Sequence, residues 1–190
     1  MTHARPDVQR FCDLRCSVGH DVDTLIAHDH LVFNYKLARV SDPSGHRLGT
    51  IRQWWPDTSA ERRPTFLGYF DHDEVLAVSI VLDGQHMVPI ADPRGNVVAS
   101  TDGLRVWVGG SEFGRLRRET GLIAPTAHSW EFIDRNGALC AEIWLGEQVP
   151  ADTYSGGDHW HVAFPPYTDE LHRQIAAGAV WVIRRGLYSP

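Results

Sequence analysis

Residues 168–186 read Thr168-Asp-Glu-Leu-His-Arg-Gln-Ile-Ala-Ala-Gly-Ala-Val-Trp-Val-Ile-Arg-Arg-Gly186. Thr168 is a favourable N-cap residue, acidic side chains follow it, and arginines precede Gly186, so this order predicts a helix over about 169–186. Its middle, 175–183, is apolar on every face, and such a helix has to be surrounded by protein or by lipid. A membrane-spanning helix needs about 18 to 20 apolar residues. This run is far shorter, so the sequence predicts a helix enclosed by the rest of the protein.

The chain before this helix has the pattern of an all-β protein. From about residue 25 to 165, short apolar or alternating runs are separated by turn signals. Three segments, 42–51, 92–99 and 134–143, repeat one hairpin design in which Asp is followed three positions later by Gly. The Asp side chain can bond the backbone two residues on, and Gly accepts the positive φ that closes the turn. The small residues Gly49, Ala99 and Ala141 in the return strands are expected to mark close approach of another backbone.

Further strands are expected at 32–40, 66–70, 75–82, 85–90, 104–108, 114–119 and 129–133. About ten to twelve strands in a chain of this length suit a closed barrel or sandwich better than an open sheet. Combined with the enclosed helix, the pattern predicts an all-β domain with one buried helix, a barrel of about twelve strands plugged by the C-terminal helix. We assign residues 25–190 to this single domain and residues 1–24 to an N-terminal arm.

Composition narrows the functional classes. The 190 residues include 18 basic and 24 acidic side chains, which give a net charge of −6, so nucleic acid is not an expected partner. The cysteine count of 3 is odd and no signal-like segment opens the chain, which favours a cytoplasmic location. No phosphate-binding loop, dinucleotide fingerprint or transmembrane span is present, and no cofactor is expected.

The hairpin pattern resembles a known family. The motif Tyr35-x-Leu-x-x-Val-x-Asp42-x-x-Gly45-x-x-x-Gly49-x-Ile51, its echo at 130–143 and the apolar C-terminal helix resemble the phospholipid scramblase and LURP-one-related proteins of the tubby C-terminal-like superfamily. The resemblance spans roughly residues 25 to 188. It implies a twelve-stranded β-barrel around a central hydrophobic helix. It also implies a lipid-related function, because tubby domains bind phosphoinositides and scramblases act on lipids and bind calcium.

The first functional hypothesis is a binding module for a lipid headgroup or another amphipathic small ligand, with possible peripheral membrane contact. Arg115, Arg117 and Arg118 form the best candidate anion patch, because guanidinium groups make forked contacts with phosphates and carboxylates. Trp54 and Trp55 begin a loop, where exposed aromatic pairs often contact an apolar ligand. An ordinary charged outer face is the alternative interpretation of the arginines.

The second functional hypothesis is a small cofactor-free barrel enzyme of specialised metabolism, a cyclase, isomerase or hydrolase using acid/base groups. Its candidate catalytic residues are His72, Asp73, His128 and Glu131. The string 71–74 is more often a solvated turn. Strand alternation would also turn Glu131 towards water if Trp130 and Phe132 face the core.

Two histidine pairs are candidate metal ligands. His28 and His30, and His159 and His161, are spaced so that on a strand both members of a pair face the same way. A metal site needs a third acid or imidazole ligand, which the sequence alone cannot place. No metal is therefore expected, and surface or loop histidines are the alternative interpretation.

Overall fold

A computed structural model describes residues 25–54, 65–82, 86–118, 129–146 and 159–188. The predicted N-terminal arm, 1–24, lies outside these residues. A short 3-10 turn, Leu25–Ala27, precedes the strands. The strands are β1 (His30–Asn34), β2 (Arg39–Ser41), β3 (Arg47–Trp54), β4 (Thr65–Asp71), β5 (Leu76–Leu82), β6 (Val88–Ala91), β7 (Val97–Thr101), β8 (Arg105–Val108), β9 (Ser111–Arg118), β10 (Ser129–Asp134), β11 (Leu139–Gly146) and β12 (His159–Ala163), and the helix α1 spans Glu170–Tyr188.

The twelve strands form a closed antiparallel barrel. Each strand pairs with its neighbours in the chain, and β1 pairs with β12 to complete the circle, with Val32 opposite His161. Closure leaves no unpaired sheet edge. Because the strands alternate in direction, the β2–β3, β4–β5, β6–β7, β8–β9 and β10–β11 connections share one end of the barrel, which we call the turn end. The predicted all-β barrel is thereby confirmed.

Helix α1 lies inside the barrel. It packs against β5, β6 and β7 on one side and against β11 and β12 on the other. Ile175, the alanines around it and Val180 are fully buried. A Cβ atom placed on Gly178 would lie 2.9 Å from the side chain of Ile90 on β6, so the barrel wall reaches the helix backbone there. The predicted enclosed helix is confirmed, and within the described residues no helix is long and apolar enough to cross a membrane.

The ends of the helix differ from the prediction by one or two residues. Asp169, not Thr168, is the N-cap, because its Oδ1 accepts the backbone N–H of His172 at 2.9 Å. The Thr168 hydroxyl instead donates to the carbonyl of Cys140 at 3.1 Å. Gly186 lies within the helix, which continues to Tyr188.

Arg173 ties the start of the helix to the chain before β1. Its guanidinium sits within 4.9 Å of the Phe164 ring centroid and pairs with Asp29 at 2.6 Å. Near a helix N-terminus a positive charge opposes the helix dipole. Hydrogen bonds to backbone carbonyls offset this unfavourable interaction with the helix dipole. Arg173 donates to the carbonyl oxygens of Ile26, Ala27, His28 and Thr168.

Four connections at the turn end share one geometry. In each, an Asp Oδ1 accepts the backbone N–H groups two and four residues later at 2.8–3.0 Å. The Asp carbonyl also accepts the N–H three residues later. Three of these turns were predicted from their Asp and Gly; the fourth has Glu74, at φ 64°, where the others have Gly. The anchoring residues are Asp42, Asp71, Asp92 and Asp134.

One predicted strand was wrong. Residues 32–40 do not form a single strand but split between β1 and β2, with a turn at 35–38. Asn34 causes the reversal, because its Oδ1 accepts the N–H groups of Lys36 at 3.1 Å and Leu37 at 3.0 Å. The expected close approach at Gly49 is confirmed, since a Cβ there would lie 2.0 Å from the carbonyl oxygen of Phe70.

Candidate functional site

Two arginines of the predicted anion patch, Arg115 and Arg117, lie on the outer face of the barrel, because the residues that alternate with them on β9, Gly114 and Leu116, face the core. Arg118 is exposed but lies on the other side of the strand, opposite the buried Trp130. Their side chains are 73% and 66% exposed. Arg105, on β8, stands directly opposite Arg115 in the strand register. We call Arg105, Arg115, Arg117 and Arg118 the arginine row.

Acidic neighbours balance part of the arginine row. Arg115 Nε donates to Glu112 Oε1 at 2.7 Å, and Arg117 Nε donates to Glu131 Oε2 at 3.0 Å. Arg105 has no ion pair within the described ranges. Exposed ion pairs contribute little to stability, and each paired guanidinium keeps further N–H groups to offer a ligand.

The structure does not bring Trp54 to the arginine row. Trp54 is the last residue of β3, which lies across the barrel from β9 in the strand order. Its side chain and the whole of Trp55 lie outside the described residues. Another apolar side chain is adjacent to the row instead: Leu104, 65% exposed, precedes Arg105, and its carbonyl accepts the N–H of Leu116.

The candidate catalytic residues are separated in the fold. His72 and Asp73 form an ion pair at 3.3 Å in the β4–β5 turn, where both side chains are more than 60% exposed, 64% and 63%. Glu131 is on β10, on the opposite side of the barrel, paired with Arg117 on the outer face. His128 lies outside the described residues. The described members of this set therefore form no joint acid/base site.

One histidine from each predicted pair contacts the other pair. His30 and His161 face each other across β1 and β12, with Nε2 and Nδ1 3.2 Å apart, and Trp144 stacks on His161 at 5.0 Å. His159 is buried and its Nε2 lies 3.0 Å from the Asn34 amide nitrogen. His28 precedes the first strand. The described part of the chain holds no group of three side chains suited to a metal ion.

A cavity of about 340 Å³ opens at the turn end. It lies between the β8–β9 turn, the β10–β11 turn and the first turn of α1. Its volume is at the small end of the range of about 300 to 1,000 Å³ that is typical of ligand pockets. We call it the end cavity, and its walls include apolar Val108 and Phe113 and polar Glu112, Asp134, Asn136 and His172.

His172 is fixed in the wall of the end cavity. Its Nδ1 lies 2.7 Å from Asp169 Oδ1, and its ring packs 4.8 Å from the Phe113 ring and 6.0 Å from the Phe132 ring. The side chain is only 19% exposed. An ionised carboxylate only accepts hydrogen bonds, so Nδ1 carries a hydrogen and Nε2 is left as the acceptor of the neutral ring.

Asp134 supplies a permanent negative charge to the same cavity. Hydrogen bonds from the backbone N–H of Ala138, and then of Asn136, lower the pKa of its carboxyl group below the ordinary value. Nearby, burial raises the pKa of the Cys140 thiol to about 11, so this thiol stays protonated and is a poor nucleophile.

Sequence reasoning missed the end cavity. Its walls come from three segments far apart in the chain, around 108–113, 134–136 and residue 172. Only the closure of the barrel around α1 brings them together. The local signal was the spacing of Asp169 and His172, which places both side chains on the first turn of a helix.

No family model matches the chain, and neither a curated protein nor a solved structure matches it. Its function is therefore argued from its own residues.

Proposed function

We propose that the protein is a binding module that holds a lipid headgroup or another anionic, amphipathic ligand on the arginine row. The observation that carries the proposal is the cross-strand pair of Arg105 and Arg115. Like charges directly opposite each other on neighbouring strands are unfavourable. An anion bridging the two guanidinium groups converts this repulsion into forked, charge-assisted contacts.

The surroundings of the row suit an amphipathic ligand. Leu104 is a large exposed apolar side chain immediately before Arg105. The guanidinium of Arg118 lies 5.9 Å from the ring centroid of Trp130, a buried core residue, and this contact holds the end of the row against the barrel. Glu131 on β10 and Glu142 on β11 lie opposite each other in the strand register. These two acidic residues mark the edge of the row on that side, so the positive face is confined to β8 and β9.

The architecture also supports a family proposal. A closed barrel of twelve strands with the helix inside is what the resemblance to the tubby C-terminal-like superfamily implies, and we propose membership of its scramblase and LURP-one-related branch. A cytoplasmic protein in peripheral contact with membranes fits this proposal, because the buried Cys140 is a free thiol. The binding mode needs no cofactor.

The proposal is tested by sedimentation with vesicles of phosphatidylcholine, with and without phosphatidylserine. We expect binding to the anionic vesicles only, and weaker binding as salt rises. The double variant Arg105→Gln/Arg115→Gln should bind roughly thirtyfold more weakly, since two basic side chains are removed and each contributes about 1 kcal/mol near an anionic surface.

The matched control is Arg47→Gln/Arg94→Gln, which removes the same charge from exposed arginines outside the row. It should bind like the unaltered protein. Equal losses in both double variants, or no binding to anionic vesicles at all, would overturn the proposal.

A further inference from the structure

We propose that the end cavity is a second binding site and that it takes a small organic cation, a primary amine with an apolar body. None of the four arginines of the row lines this site, although Arg115 pairs with Glu112 in its wall. Three features of the wall select this ligand class.

The first feature is charge. Glu112 and Asp134 both line the cavity, and Asp169 lies directly behind His172. Arg135 is the permanent cation among the described lining residues, and it is exposed in the β10–β11 turn. Arg115 is a second nearby cation, because it pairs with Glu112. Three carboxylates against these two guanidinium groups leave a net negative charge, which favours a positive ligand.

The second feature is the acceptor set. In the neutral ring, His172 Nε2 accepts a hydrogen bond, because Asp169 fixes the hydrogen on Nδ1. Among the described residues, Glu112 is bound by the exposed Arg115 through Oε1, and its Oε2 can accept a further hydrogen bond. An ammonium group has three donors and matches two or three such acceptors.

The third feature is the aromatic wall. Phe113 lines the cavity and stacks near His172, with 4.8 Å between the ring centroids. Val108 adds a second apolar surface. A ring or short alkyl chain packs against these side chains, and a cation is further stabilised over an aromatic face.

The probe for the test is benzylamine, compared with benzoate, which has a similar size and the opposite charge. Binding is followed by histidine ring resonances in NMR titrations at mildly alkaline pH, and the His172→Gln variant assigns the His172 signal. We expect benzylamine to shift the His172 resonance and to stabilise the fold against heat, while benzoate does neither.

Glu112→Gln should weaken benzylamine binding about tenfold, because it removes one charge-assisted contact. Glu142→Gln, an exposed acid outside the cavity, is the matched control and should leave the affinity unchanged. The proposal is overturned if benzoate shifts the His172 signal as strongly as benzylamine, if benzylamine shifts none, or if both variants weaken binding equally. None of these outcomes depends on vesicle binding by the arginine row.

Discussion

Glu74 occupies a backbone conformation that glycine fills in the sister turns. Its φ of 64° compares with 89° at Gly45, 78° at Gly95 and 86° at Gly137. For an L-residue this region costs roughly 1–2 kcal/mol. Glu74 recovers part of that cost through its ion pair with Arg52, which is exposed and therefore weak.

We expect Glu74→Gly to raise the free energy of unfolding by about 0.5 to 1 kcal/mol, because relief of the backbone strain outweighs the lost surface ion pair. Chemical denaturation measures the change. Gly137→Ala is the converse control. A Cβ there meets nothing within 4 Å, so the expected drop of about 1 kcal/mol in the free energy of unfolding measures the cost of the positive φ alone. Lower stability of Glu74→Gly would show that the Arg52 pair dominates.

For single residues, the sequence predicts the turns in which one side chain determines the backbone conformation. Asp42, Asp92 and Asp134 were recognised because Gly follows each of them at the same spacing. The turn at Asp71 makes the same hydrogen bonds, but Glu74 hides the pattern. The turn at Asn34 is hidden because its side-chain oxygen accepts from the N–H groups of Lys36 and Leu37, inside what reads as a continuous strand.

Helix α1 combines a crowded glycine with an uncrowded one. A Cβ on Gly178 would lie 2.9 Å from three side-chain atoms of the fully buried Ile90, whereas a Cβ on Gly186 meets nothing within 4 Å. Both glycines lie within the helix. Alanine at Gly186 therefore reports only the higher helix propensity of alanine. Alanine at Gly178 reports that propensity together with the steric fit of the helix in the barrel.

We expect Gly178→Ala to lower the free energy of unfolding by up to about 2 kcal/mol, since the overpacking cost of about 1–3 kcal/mol is offset by a helix-propensity gain of about 1 kcal/mol. Gly186→Ala should leave stability unchanged or raise it by up to about 1 kcal/mol. Urea unfolding curves of both variants provide the comparison. If Gly178→Ala proves as stable as Gly186→Ala, the barrel wall has room to move away from the helix.

The helix itself was predictable because its enclosure follows from composition alone. Its first residue was not, because the choice of cap depends on a distant contact. Thr168 and Asp169 are both good N-caps, but the Thr168 hydroxyl is used by the carbonyl of Cys140 on β11. No local pattern contains that contact.

The whole molecule should lose stability in two stages as the pH falls. Burial lowers the pKa of His30 from its ordinary 6.5, so the folded state resists protonation and stability declines as the pH drops below about 6.5. Backbone hydrogen bonds lower the pKa of the Asp134 carboxyl group below its ordinary 3.8. At Asp42 and Asp169 burial acts to raise the pKa, but hydrogen bonds outweigh it, so these two pKa values are lowered as well. The stability these carboxylates contribute is present above about pH 4 and lost as the pH falls through their folded pKa values.

The free energy of unfolding measured across this pH range checks both stages. His30→Asn should flatten the first stage and leave the second unchanged. His86→Asn, at an exposed histidine, is the control and should retain both. A first stage that persists in His30→Asn would assign it to another group.

The architecture was predictable from the sequence, but the pairing of side chains across strands was not. Arg105 meets Arg115 only because a register shift falls between Val106 and Trp107 on β8. A shift of one residue turns a strand's side chains to the other face, and nothing near Arg105 in the sequence marks it. The end cavity depends in the same way on barrel closure.

The enclosed helix has a consequence for biosynthesis. In chain order α1 follows all twelve strands, and β1 pairs with β12, which directly precedes the helix. On the ribosome the barrel wall therefore emerges before the element that fills it, with its apolar inner face bare and both edges open. The protein cannot complete its fold strand by strand during translation.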